Sequence, residues 1–146
     1  MKQLIIIITA ALTFATSYAQ NKDQLNILDN FIIAHNDGSE DAIKQFIKNS
    51  YLPEIYDKIN LKDHIAFYKQ IITEFGDLNH QIYYIVEETP DKLIVHLTKK
   101  YRAINNQNIN PEDILQVEIY LSKENSKYMQ NGLGLGSLFG DEKREQ

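Results

Sequence analysis

The sequence has no cysteine, so no disulfide can brace the fold and no lipid-modified N-terminal cysteine can anchor it. The domain must stand on packing alone. Basic residues are outnumbered: 15 Lys and Arg face 20 Asp and Glu, a formal net charge of −5. That balance argues against a nucleic-acid binder, which needs a basic footprint. Histidine occurs only at His35, His64, His80 and His96. No two stand at i, i+4 on a helix, and H-E-x-x-H is absent. The ligand clusters that zinc sites require are missing, and no metal or other cofactor is expected. Neither S-x-x-K nor G-x-S-x-G occurs, which removes the penicillin-binding and nucleophile-elbow signatures of serine hydrolases. No apolar run reaches the roughly 20 residues that span a bilayer. There is no internal repeat.

What is present begins with "MKQLIIIITAALTFATSYAQ". One positive charge, Lys2, precedes an apolar run from Leu4 to Ala15, and Ser17-Tyr18-Ala19 closes it. Small residues at Ser17 and Ala19 fit a signal-peptidase site, with cleavage before Gln20. The reading is a signal peptide over 1–19 and an exported product in the periplasm or outside the cell, with no membrane attachment after cleavage. An uncleaved anchor is the competing reading. Cleavage leaves 127 residues with 14 basic and 20 acidic side chains, a net charge of −6. That is one domain, 20–139, with enough chain for a two-layer core. The polar tail 140–146, "GDEKREQ", is expected to be disordered.

Within the domain, helical periodicity comes first. Leu25, Leu28, Phe31, Ile32 and His35 make one stripe, with Asn21 and Gln24 spaced as a capping box and Asn36-Asp37-Gly38 as the stop. His35 is expected to pack there and bond the following turn. Ser39 caps a second helix with Glu40 and Asp41 in its first turn and Ala42, Ile43, Phe46 and Ile47 buried. It frays before Pro53. "YLPEIYDKI" is open between a short strand and a loop. Asn60 caps a third helix with the stripe Ile65, Tyr68, Ile71, Ile72 and Phe75, and Gly76 closes it.

After Gly76 the period becomes two. Segment 80–88 places Ile82, Tyr84 and Val86 on one face. Segment 92–102 places Leu93, Val95 and Leu97 there, and 114–122 adds Leu115, Val117, Ile119 and Leu121. "ETPDK" is a turn and "NNQNINPED" a longer polar loop. The last stretch, "NGLGLGSLFG", offers G-x-G-x-G but no following helix, so a phosphate-cradling loop lacks its context. A strand fits better, with Met129, Leu133 and Leu135 on one face. Gly132, Gly134 and Gly136 lie on the other, where something approaches closely or the sheet bends.

Helices followed by antiparallel strands predict an α+β domain, three N-terminal helices packed on a curved, mostly antiparallel sheet of about four strands. "FIIAHNDGSEDAIKQFI", then "FYKQIITEFGDL", then a strand ending in "GLGLG", resembles a branch of the NTF2-like superfamily. That branch occurs in exported bacterial proteins, often N-terminal to serine-hydrolase domains of the β-lactamase or penicillin-binding type. Phe31, Ala34, His35, Asn36, Gly38, Phe67, Tyr68, Phe75 and Gly76 carry the resemblance, and they are fold-forming residues. The resemblance implies a cone with a possible internal pocket. Hydrolase activity does not transfer, because its motifs are absent from these 146 residues.

The expected role is therefore non-catalytic binding of a small ligand or another exported protein, a homodimer being the first partner to consider. The alternative is a small-molecule enzyme with its active site inside the cone, as in the NTF2-like ketosteroid isomerases with their Asp base. The predicted core phase holds no Asp or Glu to act as base; Glu87 and Glu118 fall on the other phase. Two candidate surfaces follow. Polar residues that break the core phase, Lys99, Tyr101 and Asn131, would join Tyr68 and Tyr84 in a pocket at the open end. A strand end in water, or a bulge at Thr98–Lys99, would account for them equally. The outer sheet face would hold Tyr83, Ile85, Ile94, His96, Thr98, Ile114, Gln116, Glu118 and Tyr120. That is too apolar for an ordinary wet face, and it is expected to be an interaction surface.

Overall fold

The computed structural model describes residues 22–82, 84–100, 109–124 and 127–137. The predicted leader with its cleavage site, Tyr83, Tyr101 and the polar tail lie outside them. Helix α1 runs over 22–37. It is followed by α2 (Glu40–Ser50), a single turn α3 (Pro53–Tyr56) and α4 (Leu61–Phe75). Strands β1 (Tyr84–Thr89) and β2 (Lys92–Thr98) come next, then a 3₁₀ turn over Pro111–Asp113. Strands β3 (Ile114–Glu124) and β4 (Lys127–Ser137) complete the fold. The sheet is an antiparallel meander in the order β1-β2-β3-β4. The domain is thus α+β, as the change of period predicts.

The helix boundaries follow local chemistry. Gly38, at φ 69°, reverses the chain between α1 and α2 in a conformation that costs glycine little. The Ser39 hydroxyl accepts from the Ala42 amide at 3.2 Å, and Asn60 accepts from the Asp63 amide at 3.4 Å. Gly76, at φ 63°, ends α4 and donates its amide to the Ile72 carbonyl at 2.8 Å. Pro53 sits in the first turn of α3, where its missing N–H removes no bond. "YLPEIYDKI" is therefore an extended Tyr51, then a helical turn. Glu40 reaches both Lys44 (2.9 Å) and Lys69 (3.6 Å), which links α2 to α4 on the surface.

One core unites both layers. Phe31, Ile32, Ile43, Ile47 and Phe75 meet Leu93, Val95 and Leu97 of β2 and Leu115, Val117, Ile119 and Leu121 of β3. Leu133 and Leu135 of β4 pack against it, opposite Ile119 and Val117. The first helix turns slightly from its predicted stripe: Leu25 is exposed, whereas Gln24, Ile27 and Ala34 are buried. Asn21, the other half of the predicted capping box, lies outside the described residues, and Gln24 is buried. Its amide donates to the Thr89 carbonyl at 2.7 Å, holding the β1–β2 turn.

Two strand phases differ from the expectation, each for a reason of register. Tyr84 pairs with His96 and Ile85 with Val95, and a bulge between Ile85 and Glu87 shifts the ladder. Paired residues share a face, so Tyr84 lies on the outer face and Ile85 on the inner one, the reverse of the predicted phase. In β4 a second bulge opens between Gly132, opposite Tyr120, and Gln130, opposite Leu121. The bulged residue is Asn131, which is exposed, while Gln130 is completely buried.

Candidate functional site

Three of the residues that carry the resemblance, His35, Asn36 and Gly76, form a clamp. His35 Nε2 donates to the Gly76 carbonyl at 2.8 Å, 41 residues along the chain rather than in the following turn. The Nδ1 atom is then the unprotonated nitrogen, and it has no partner. Burial pushes the His35 pKa down; the Gly76 bond and the nearby Asp77 carboxylate oppose that shift. Asn36 pairs with a backbone as a strand would: its Nδ2 donates to the Leu78 carbonyl (2.9 Å) and its Oδ1 accepts from the Leu78 amide (2.7 Å). Leu78 in turn bridges Lys99, and the Asn79 amide donates to the Thr98 carbonyl at 2.8 Å. The end of α1 thereby holds the exit from α4 against the end of β2.

Lys99 belongs to this structural assembly. Its ammonium stands 3.3 Å from an Asp113 carboxylate oxygen and 5.7 Å from the centre of the Phe75 ring. The pair is largely withdrawn from water, with only 17% of the Lys99 and 4% of the Asp113 side chain exposed. The predicted pocket is not assembled. Tyr68 is buried among Phe31, Phe46 and Phe67. Tyr84 is 60% exposed on the opposite face of the sheet. Asn131 donates to the Ser122 hydroxyl at 2.6 Å in the bulge. Lys99 is tied to Asp113, and Tyr101 lies outside the described residues. The register shifts at Val86 and Asn131 separate what strict alternation would have gathered.

The outer face is ordered differently from its expectation. Ile94, Thr98 and Ile114 are buried, and Ile85 is on the other phase, so no isoleucine patch is displayed. A polar row runs across the face instead. The Tyr84 ring stands 6.0 Å from the His96 ring. His96 Nε2 is 3.1 Å from Gln116 Oε1, and Gln116 Nε2 donates to Glu118 Oε1 at 2.8 Å. The Tyr120 hydroxyl donates to Glu118 Oε2 at 2.5 Å, and that bond pushes the phenol pKa up. Lys92 lies 5.9 Å over the Tyr120 ring and 2.7 Å from Glu87 Oε2; the Glu87 bond raises its pKa. His96, Glu118 and Tyr120 of the predicted interface are thus brought together, while Ile85, Ile94 and Ile114 are not part of it.

The glycine alternation in β4 makes this row possible. Gly132, Gly134 and Gly136 lie opposite Tyr120, Glu118 and Gln116. A Cβ at Gly134 would stand 3.3 Å from the Glu118 Cβ, and one at Gly132 would stand 3.5 Å from the Tyr120 ring. None of the three adopts a positive φ. Gly132 and Gly134 serve as floor under Tyr120 and Glu118, whereas a Cβ at Gly136 would meet nothing within 4 Å. Lys92, Glu87 and Gln116 complete the row; alternation from His96 and Glu118 marks them once the register is known.

Among the described residues no group of three His, Asp or Glu side chains is placed to hold a metal ion, and no helix is long and apolar enough to cross a membrane. No protein-family model, curated protein or solved structure matches this chain.

Proposed function

We propose that this chain is an exported, non-catalytic domain with the NTF2-like cone fold, and that it works by binding a protein partner on its outer sheet face. The observation that carries the reading is the row Tyr84–His96–Gln116–Glu118–Tyr120. Its side chains bond to one another across the open face, with two exposed tyrosines at its ends. Tyrosine suits such a surface because an apolar ring with a polar tip tolerates partial burial. The helices-then-strands order, the clamp built from resemblance-carrying residues and the secretory pattern of residues 1–19 support the fold and the export. The first partner to test is a second copy of the chain, and the next is a different exported protein.

The enzyme reading has less support. A general base must face its substrate, and Asp113, the carboxylate that the 3₁₀ turn before β3 brings beside the end of β2, is ion-paired with Lys99. Sedimentation of residues 20–146 tests the binding reading. A concentration-dependent dimer that Tyr84→Ala with Tyr120→Ala converts to a folded monomer supports self-association. A dimer that persists in that variant removes this face from consideration. Ile94→Glu is a poor probe, because Ile94 is buried and the charge would unfold the sheet locally.

A further inference from the structure

Between α2, α4 and β4 the interior holds polar groups with no hydrogen-bond partner among the described residues. Gln130 is 0% exposed, and both its Oε1 and Nε2 lack a hydrogen-bond partner. The Tyr68 hydroxyl, also buried, has no partner of good geometry. Folded proteins pair nearly all such groups, and an orphaned buried carboxamide calls for an explanation. A packing role does not provide one, since Leu or Met would fill the same space without stranding two polar atoms.

The orphans belong to one cluster. Tyr51 forms a parallel bridge with Gln130, and the Leu52 amide donates to the Gln130 carbonyl at 2.9 Å. Residues paired in a bridge direct their side chains to the same side, so the Gln130 amide and the Tyr51 ring are neighbours. Tyr51 in turn faces Tyr68. Burial, the Tyr51 charge and the Tyr51 hydroxyl all push the Tyr68 phenol well above its ordinary range. The surrounding wall is aromatic: Phe31 and Phe46 stand 6.3 and 5.9 Å from the Tyr68 ring, and His64 stands 6.3 Å from the Tyr51 ring. No carboxylate, lysine or arginine is among these contacts. Ser50 and Met129, the residues immediately before Tyr51 and Gln130, line a cleft of about 360 Å³ whose wall also carries two carboxylates, Asp23 and Asp29, with Asn26, Asn30 and Asn49. The cleft and the cluster therefore adjoin through the backbone at Ser50–Tyr51 and Met129–Gln130.

We propose that Tyr51, Tyr68 and Gln130 form a binding site for a small uncharged molecule with an apolar body and one polar head offering both a donor and an acceptor, reached from the cleft between α1, the end of α2 and β4. A primary amide or an alcohol on an aromatic ring has this chemistry. The carboxamide supplies a donor and an acceptor to the head, the phenol supplies a further donor, and the aromatic wall receives the body. A carboxylate or an ammonium is rejected at the cluster because no opposite charge is among its contacts; Asp23 and Asp29 line the cleft and not the cluster.

The test uses residues 20–146 with benzamide and benzyl alcohol as probes, and benzoate and benzylamine as charged isosteres at neutral pH. Benzamide at millimolar concentration is expected to shift the Gln130 side-chain amide resonances saturably and to raise Tm, while the charged pair does neither. Gln130→Leu is expected to abolish the benzamide shift at Tyr51 and Tyr68 and to raise the Tm of the free protein. Tyr68→Phe, which removes one hydroxyl and keeps the ring, is expected to weaken benzamide binding several-fold in a protein of unchanged fold. It also supplies the answer if Gln130→Leu does not fold. The proposal is overturned if no probe moves the Gln130 amide, if the charged isosteres bind as well as benzamide, or if Gln130→Leu lowers Tm with benzamide binding unchanged.

Discussion

Two polar assemblies in this molecule are built from similar residue types and end up with opposite characters. In the clamp, His35 and Asn36 bond to backbone: the Gly76 carbonyl and both polar groups of Leu78. On the outer face, His96, Gln116, Glu118 and Tyr120 bond to one another, side chain to side chain, with water on one flank. A side chain that satisfies a buried backbone group cannot be removed without stranding that group. A side chain that bonds only its neighbour on an open face can be removed, because water replaces the partner. The clamp thus fixes where α1 and α4 end relative to the sheet, and the row is free to serve a partner.

The sharpest way to break this contrast is at Asn36. Asn36→Ala leaves the Leu78 amide and carbonyl without partners in a buried setting, and the expected loss is about 2 kcal/mol or more, at roughly 1–3 kcal/mol per stranded group. Urea denaturation measures it. An unchanged midpoint would mean that the clamp holds nothing. A smaller effect is expected at the floor of the row. Gly134→Ala brings a methyl group to 3.3 Å from the Glu118 Cβ, so Glu118 must yield by a few tenths of an ångström. The cost is about 1 kcal/mol, as for mild overpacking. Chemical-shift changes should be centred on Glu118 and Tyr120. Changes spread through the core instead would show that the glycine serves the backbone.

His35 makes the clamp sensitive to pH. Its folded pKa lies below the ordinary value because burial disfavours the imidazolium. The unfolded chain therefore binds the proton more readily, and its contribution to stability is full above the unfolded pKa of about 6.5. That contribution is lost as pH falls from there toward the lowered folded value. Denaturation midpoints at neutral and mildly acidic pH should show this slope, and His35→Gln, which can still donate to the Gly76 carbonyl, should flatten it. If the slope survives His35→Gln unchanged, it originates elsewhere.

The helices were legible because their signals are local. Asn60, the Ile65–Phe75 stripe and Gly76 define α4 within one stretch of chain, and Ser39 does the same for the start of α2. The strand phases were less legible because a bulge is decided by the partner strand. Tyr84, Ile85 and Val86 are all apolar enough to face either way, and only pairing with Val95 and His96 chooses. Alternation through Met129, Asn131 and Leu133 looks unbroken, yet the bulge moves Asn131 outward and buries Gln130. The glycine alternation announced a close approach but could not name Glu118 and Tyr120 as what approaches. Two members of the predicted pocket, Tyr84 and Asn131, were assigned by phase, and the two bulges turn both away from it.

The division of labour between clamp and row is tested most directly by capture. Residues 20–146 carrying a tag are offered to the envelope fraction together with the untagged domain, beside a Tyr84→Ala, Tyr120→Ala variant. The variant should keep the wild-type Tm, since exposed substitutions away from buried features change stability by about 0.5 kcal/mol or less. The account predicts that the wild-type bait retains a saturable partner, either the untagged copy or a protein of the envelope fraction, and that the equally stable variant retains none. Equal capture by both baits would contradict it.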